Sequence, residues 1–120
     1  PLQNIELGLS LRKLDVPKEK IILTLKKFEL GNYANKPVGI FSKGMLQRLK
    51  FAYAFLLDWK VGLLDEPFNG LDDEGVKLFN ECIKLWIENK QSVLLVTHNT
   101  DYITNSNYDI LYLKNKKISS

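Results

Sequence analysis

Three groups of residues in this chain could do chemistry together. Asp65 and Glu66 stand side by side at the end of a short apolar run, Val61-Gly62-Leu63-Leu64, with Pro67 immediately after them. His98 closes a second apolar run, Ser92 to Val96, followed by Thr97. Ser42-Lys43-Gly44 opens a long apolar pattern that starts at Met45. An acid at a strand end can hold Mg²⁺ through water, because that ion keeps several waters and takes few carboxylates. A second acid beside it can orient or deprotonate an attacking water. A nearby histidine can contact a terminal phosphate. A helix N-terminus with free N–H groups, a close-approach glycine and a serine hydroxyl is an anion site, and Lys43 adds charge to it. Each feature also has a plain structural explanation. Strand-end acids are common in turns, serine is a usual N-cap, and a lone histidine has many roles.

These residues need elements to position them. The run 61–65 reads as a buried parallel strand, and Pro67 stops it. Met45 to Leu57 reads as a helix, and its second half, from Phe51 to Leu57, is apolar nearly all round and so expected to be buried. Asp58-Trp59-Lys60 then turns the chain into the strand. After the loop Phe68 to Asp72, either Asp72 or Asp73 can cap a helix with Val76, Phe79, Cys82 or Ile83, and Trp86 inward. Glu81, Lys84 and Glu88 face outward on it, and Asn89-Lys90-Gln91 closes it. Ser92 to Val96 is a second fully apolar strand. Strand, helix and strand make a right-handed βαβ unit. Both strands then point the same way, so Asp65, Glu66 and His98 share one edge of the sheet. That edge, at the strands' C-terminal ends, is where ligands of open α/β sheets bind.

Upstream, Ile5, Leu7, Leu9 and Leu11 alternate as in a strand, whereas Leu7, Leu11 and Leu14 are spaced as in a helix. The amphipathic segment Lys18 to Glu29, with Ile21, Ile22, Leu25 and Phe28 on one face, favours the helix. Pro17 suits its first turn and Gly31-Asn32 its C-cap. Residues 1–30 are therefore expected to form a helical hairpin, with a loop over 31–41. Downstream, residues 99–105 read as a short helix or turn. Tyr108 to Leu113 and Lys117 to Ser119 read as a hairpin turning at Lys114-Asn115-Lys116.

The chain has 120 residues, 45% hydrophobic and 26% charged, with a net charge of +3. That suits one small domain or part of a larger one. The basic residues are scattered, so nothing suggests a nucleic-acid footprint. Cys82 is the only cysteine, which rules out an internal disulfide and fits a reducing compartment. No apolar run approaches the roughly 20 residues of a membrane span. The start at Pro1-Leu2-Gln3-Asn4 shows no signal peptide and is expected of a fragment. Trp59, Trp86 and Cys82 read as core residues.

Together, four stretches resemble motifs of the ABC-transporter ATPases. Phe41-Ser42-Lys43-Gly44-Met45 with Gln47-Arg48 is similar to the signature motif. Leu63-Leu64-Asp65-Glu66-Pro67 resembles Walker B with its catalytic glutamate. Asn69-Gly70-Leu71-Asp72 resembles the D-loop, and Val96-Thr97-His98-Asn99 the switch-histidine region. They occur in the family's order and spacing. The resemblance implies an α/β, P-loop NTPase fold in part, with a helical subdomain over 1–40 and the C-terminal part of the ATPase core over 41–120.

The resemblance also implies roles. Asp65 would hold Mg²⁺ through water, Glu66 would polarise the attacking water, and His98 would contact the γ-phosphate of its own subunit's ATP. Ser42 and Gly44, flanked by Lys43, Met45 and Gln47, would face the γ-phosphate of ATP on the opposite subunit of a head-to-tail dimer. Asp72 would lie at the dimer seam. A membrane-spanning permease would be the other partner, with the ATPase on the cytoplasmic face of the membrane. The Ser-Lys-Gly-Met form departs from the commoner Ser-Gly-Gly-Gln and resembles the exporter branch that works with separate permeases.

No Gly-x-x-x-x-Gly-Lys-Ser/Thr occurs in the sequence, and neither the Q-loop glutamine nor the base-stacking aromatic has a match. The chain is thus expected to be the C-terminal portion of a domain of roughly 200 or more residues, inactive by itself. In the family's sheet, the strand leading into Walker A lies between the His98 strand and the 108–113 strand. Without it, unpaired edges are expected to drive self-association or to rearrange the C-terminal hairpin. Two other functions fit less well. A DNA-repair or chromosome-structuring ATPase would carry a long coiled coil before the signature, where this chain has two short helices. A non-catalytic interaction module would not need Asp65, Glu66 and His98 intact.

Overall fold

The structure, a computed structural model, describes residues 1–103, 109, 111–114 and 117–119. Two helices, α1 (Leu2–Leu11) and α2 (Lys18–Lys27), form the expected hairpin. Two short 3-10 turns, Gly31–Tyr33 and Val38–Ile40, follow and lead into α3 (Lys43–Leu56). Then come β1 (Val61–Asp65), α4 (Asp73–Glu88) and β2 (Ser92–Val96). β1 and β2 pair in parallel with Leu63 opposite Leu94 and Asp65 opposite Val96. This is the strand–helix–strand unit read from the sequence. A 3-10 turn at Thr100–Tyr102 follows β2. β3 (Tyr112–Lys114) and β4 (Lys117–Ser119) pair antiparallel in a separate sheet. An antiparallel hairpin is thus present, but shorter and shifted from the one expected: Lys114, expected in the turn, pairs with Lys117, and Asp109 and Leu111, expected in the first strand, are not in it. Tyr108, Ile110, Asn115 and Lys116 lie outside the described residues.

One apolar core joins the helical hairpin to α3 and α4. Ile5 and Leu9 of α1, Ile21 and Leu25 of α2, and Phe28 and Leu30 just beyond α2 are buried in it. They are continuous with Phe51 and Leu56 of α3 and with Phe79, Cys82, Ile83 and Trp86 of α4. Phe79 stacks on Phe51 with ring centroids 4.0 Å apart and meets Phe68 edge-on at 5.3 Å. Aromatic pairs of this kind add to the area they bury. Trp59 and Trp86 contact edge-to-face at 5.0 Å, and the Trp59 indole N–H donates to the Ala54 carbonyl.

The structure corrects three expectations. First, β1 and β2 are covered on one face only. Leu64, Val93 and Leu95 pack on the core, while Val61, Leu63, Leu94 and Val96 are 57–74% exposed. Their helices lie on one side of the two-stranded sheet, so period-2 alternation leaves half of each apolar run uncovered. Second, α3 is not encased. Phe51, Ala52 and Leu56 are buried, but Tyr53, Ala54 and Phe55 are half-buried, because α2 and α4 flank the helix without surrounding it. Third, Gly31-Asn32 does not end α2. The left-handed residue is Glu29, with φ of 60°. Its N–H bonds the Lys26 carbonyl, and the Leu30 N–H bonds the Leu25 carbonyl at 2.8 Å. That is the paired closure of a Schellman motif, with Leu25 and Leu30 both buried in the core. α1 ends the same way at Lys13 and α4 at Lys90, so three helices stop without a glycine.

Candidate functional site

The strand-end acids part company at the edge of the sheet. Asp65 is the last residue of β1 and lies on its exposed face, with no side-chain hydrogen bond among the described residues. Glu66 extends the ladder by one bond, its N–H donating to the Val96 carbonyl at 2.8 Å. Its backbone then turns left-handed, with φ of 45°. A non-glycine residue holds that conformation only where its surroundings over-determine it. Here they do so through the side chain. Oε1 accepts the His98 backbone N–H at 3.0 Å and lies 2.6 Å from His98 Nδ1. Oε2 lies 3.2 Å from the Thr97 hydroxyl. The hydrogen bond with the His98 ring, then its backbone N–H and charge, then Thr97, hold the Glu66 carboxyl below the usual carboxylate range. An ionised carboxylate only accepts hydrogen bonds, so Glu66 is suited to orienting a water by its hydrogens. The His98 side chain is 77% exposed and open to an incoming group.

The signature-like segment lies around a different cavity. Ser42 caps α3, its Oγ accepting the Met45 N–H at 3.1 Å. Both the capping and the anion-site readings therefore rest on the same hydroxyl. The cavity, about 220 Å³, is lined by Ser42, Gly44 and Met45 on one side and by Gly70, Leu71 and Asp72 on the other. A Cβ on Gly44 would lie 2.6 Å from the Gly70 carbonyl oxygen. Gly70 itself has φ of +79°, and a Cβ there would lie 3.0 Å from Lys43 Cβ. The two glycines thus let the α3 N-terminus and the 67–72 loop touch. Gln47, one turn further on, donates from Nε2 to the Pro67 carbonyl at 2.9 Å, tying α3 to the residue after the acids. Lys43 is exposed and makes no side-chain hydrogen bond among the described residues.

Asp72 serves as the N-cap of α4, Oδ1 accepting the Gly75 N–H at 2.9 Å. The same oxygen accepts from Arg48 Nη2 at 2.9 Å, and the Arg48 guanidinium also pairs with Glu29. The Gly75 N–H, then Arg48, lower the Asp72 carboxyl below its ordinary value.

The structure therefore brings Glu66 and His98 together and gathers Ser42, Gly44, Met45 and Asp72 round one cavity. Gln47 connects the two groups, while Asp65 and Lys43 stand apart. Thr97 and Arg48 stand inside the motif-like stretches but have no role of their own in the sequence-based site, and Glu29 lies outside those stretches. Thr97 could have been noticed as the hydroxyl flanking His98. Arg48 could have been noticed as a lone cation on the α3 face that meets the helical hairpin. Among the described residues no three metal-ligating side chains cluster. A Mg²⁺ held by Asp65 would fit only as a hydrated ion that takes its other ligands from a nucleotide.

A profile described as "ABC transporter" matches residues 3–69, more than half of the chain. The lantibiotic transport ATP-binding protein SrtF of Streptococcus pyogenes is 36% identical over 85 residues, 71% of this chain and 37% of that protein. The thiamine import ATP-binding protein ThiQ of Haemophilus influenzae is 34% identical over 120 residues, 98% of this chain and 56% of its own length. The ABC transporter ATP-binding protein NatA of Bacillus subtilis is 37% identical over 73 residues, 61% of this chain and 30% of that protein. The chain thus spans about half or less of the length of these relatives. The motif order and the profile match agree with the mixed α/β fold, and the chain belongs to the ABC transporter family.

Proposed function

We propose that this chain is the part of an ABC transporter ATP-binding subunit that carries the signature motif, Walker B, D-loop and switch histidine. Residues 1–40 serve as the helical subdomain and 41–120 as the C-terminal part of the ATPase core. The observation that carries this is the Glu66 carboxylate held by His98 at the C-terminal edge of a parallel strand pair. ATP and Mg²⁺ are the cofactors, and bound Mg²⁺ neutralises charge on the phosphates. Asp65 would hold the hydrated ion, Glu66 orients the water, and the exposed His98 ring contacts the terminal phosphate. Ser42, Lys43, Gly44 and Met45 face the nucleotide of a second subunit, and Asp72 lies beside that seam. A permease in the membrane is the mechanical partner, with this subunit on its cytoplasmic side. No helix of the described residues is long and apolar enough to cross a membrane itself.

Export is the direction the Ser-Lys-Gly-Met signature favours. SrtF is named a lantibiotic transport protein and ThiQ a thiamine import protein, so both directions occur among the relatives. The sequence contains no phosphate-cradling loop, so the 120 residues alone should release no phosphate from ATP. The test is phosphate release by an ATP-binding subunit that contains both such a loop and this segment. Glu66→Gln should lower kcat by about a hundredfold or more. Unchanged turnover would overturn the assignment, and so would turnover by the 120 residues alone above a Glu66→Gln control.

A further inference from the structure

The Thr97–Tyr102 segment that carries His98 is fastened at a point the motifs do not cover. Asn80 sits on the otherwise apolar inner face of α4 and is about nine-tenths buried. Its Nδ2 donates to two carbonyls: Val76 of its own helix at 3.1 Å and Tyr102 at 2.8 Å. Two acceptors demand both amide protons, so the amide orientation is fixed by its partners. Its Oδ1 is buried with no partner among the described residues. An apolar residue of similar volume would avoid leaving that acceptor dry, so packing alone disfavours asparagine here. The bond that only the amide supplies is the one to Tyr102.

That bond holds the far end of the turn. The Tyr102 ring lies 5.5 Å from the Phe68 ring, two residues along from Glu66. Within the turn, Asn99 Oδ1 accepts the Asp101 N–H at 3.1 Å and the Thr100 carbonyl accepts the Ile103 N–H at 3.0 Å. The segment is therefore pinned to the Glu66–Phe68 stretch twice, at His98 on Glu66 and at Tyr102 on Phe68. Asn80 anchors the second pin from beneath.

We infer that Asn80 is a positioning residue for His98: its amide clamps the Thr100–Tyr102 turn to α4 and so sets where the histidine ring meets Glu66. The functional meaning of that placement rests on the ATPase reading above, but the clamp can be measured without nucleotide. His98 is the only histidine, so its ring gives one unambiguous NMR signal. In the unaltered 120-residue chain, Glu66→Gln should shift that signal. In an Asn80→Leu background, Glu66→Gln should shift it by less than half as much. Amide exchange at Asp101 and Ile103 should rise about tenfold, while α4 amides change less than about twofold. Tyr102→Ala, at a part-exposed position, removes the ring contact with Phe68 but keeps the main-chain carbonyl that accepts from Asn80, so it should weaken the same coupling by less than Asn80→Leu does. An unchanged His98 response in both variants would overturn the clamp. So would loosening of α4 together with the turn, since that marks a simple packing role. Loss of the coupling in Asn80→Leu, with no phosphate release by a whole subunit in which Asn80 and Glu66 are both intact, would count against the ATPase reading and leave the clamp standing.

Discussion

His98 Nδ1 lies 2.6 Å from Glu66 Oε1 across the ends of two parallel strands, and the His98 backbone N–H reaches the same oxygen. The carboxylate is thus held by a ring and an amide of one residue. Its pKa is depressed in the folded chain, chiefly by the ring contact. A depressed acid contributes stability above its unfolded pKa, about 4.3 for glutamate, and loses it as pH falls through the folded value. Asp72, lowered by the Gly75 N–H and Arg48, acts in the same direction. The melting temperature should be flat from pH 7 to about 5 and fall below that. In Glu66→Gln the acid limb should be shallower. Circular-dichroism melts from pH 3 to 7 measure both slopes, and equal slopes would rule out the linkage.

Gly44→Ala should destabilise the chain. The added Cβ meets a backbone carbonyl at 2.6 Å, which cannot swing aside as a side-chain end could. Overpacking of this kind costs about 1–3 kcal/mol. Gly39→Ala, with nothing within 4 Å of the added carbon, is the matched control. Urea midpoints should fall for the first substitution and stay within error for the second.

Lys90→Gly should stabilise. Lys90 closes α4 at φ of 62°, a conformation that costs an L-residue about 1 kcal/mol and glycine almost nothing. Part of that gain is offset by the freer unfolded glycine, which leaves about 0.5 kcal/mol. The urea midpoint should rise with no change in slope.

Cys82 should be inert in the folded chain. It is fully buried on α4, and burial pushes its thiol up to about 11. Only the thiolate reacts at a useful rate. Labelling by a thiol reagent at pH 8 should be negligible under native conditions and complete in denaturant. Fast native labelling would show that α4 opens readily.

The 120-residue chain should self-associate. Val61, Leu63, Leu94 and Val96 form an apolar patch on the open face of β1 and β2, and monomers rarely leave such patches uncovered. Light scattering should give a mass above 13.8 kDa that rises with concentration. Leu63→Lys with Leu94→Lys should return it toward that value.

The βαβ unit and the placing of Glu66 beside His98 were legible because hydrophobic period and chain direction alone fix them. Ser42 and Asp72 were legible as caps from residue type. Burial on the open face of β1 was not. An apolar run states what a strand requires, and Leu63 carries no sign of whether a second layer is present. The helix ends at Lys13, Glu29 and Lys90 were equally hidden, since glycine is the usual signal for a left-handed residue. Arg48 and Asn80 were missed because each acts on a partner more than twenty residues away, at Asp72 and Tyr102, which no local spacing shows.

The interlocked glycines have a mechanical consequence. Lys43 and Gly44 press on Gly70 with no room for an added carbon, and Gln47 pulls on Pro67 from one turn along. Close contact between two backbones transmits displacement instead of absorbing it. A pull on the tip of α3 is therefore passed to the 67–72 loop at two points, Gly70 and Pro67, and reaches the head of α4 through that loop.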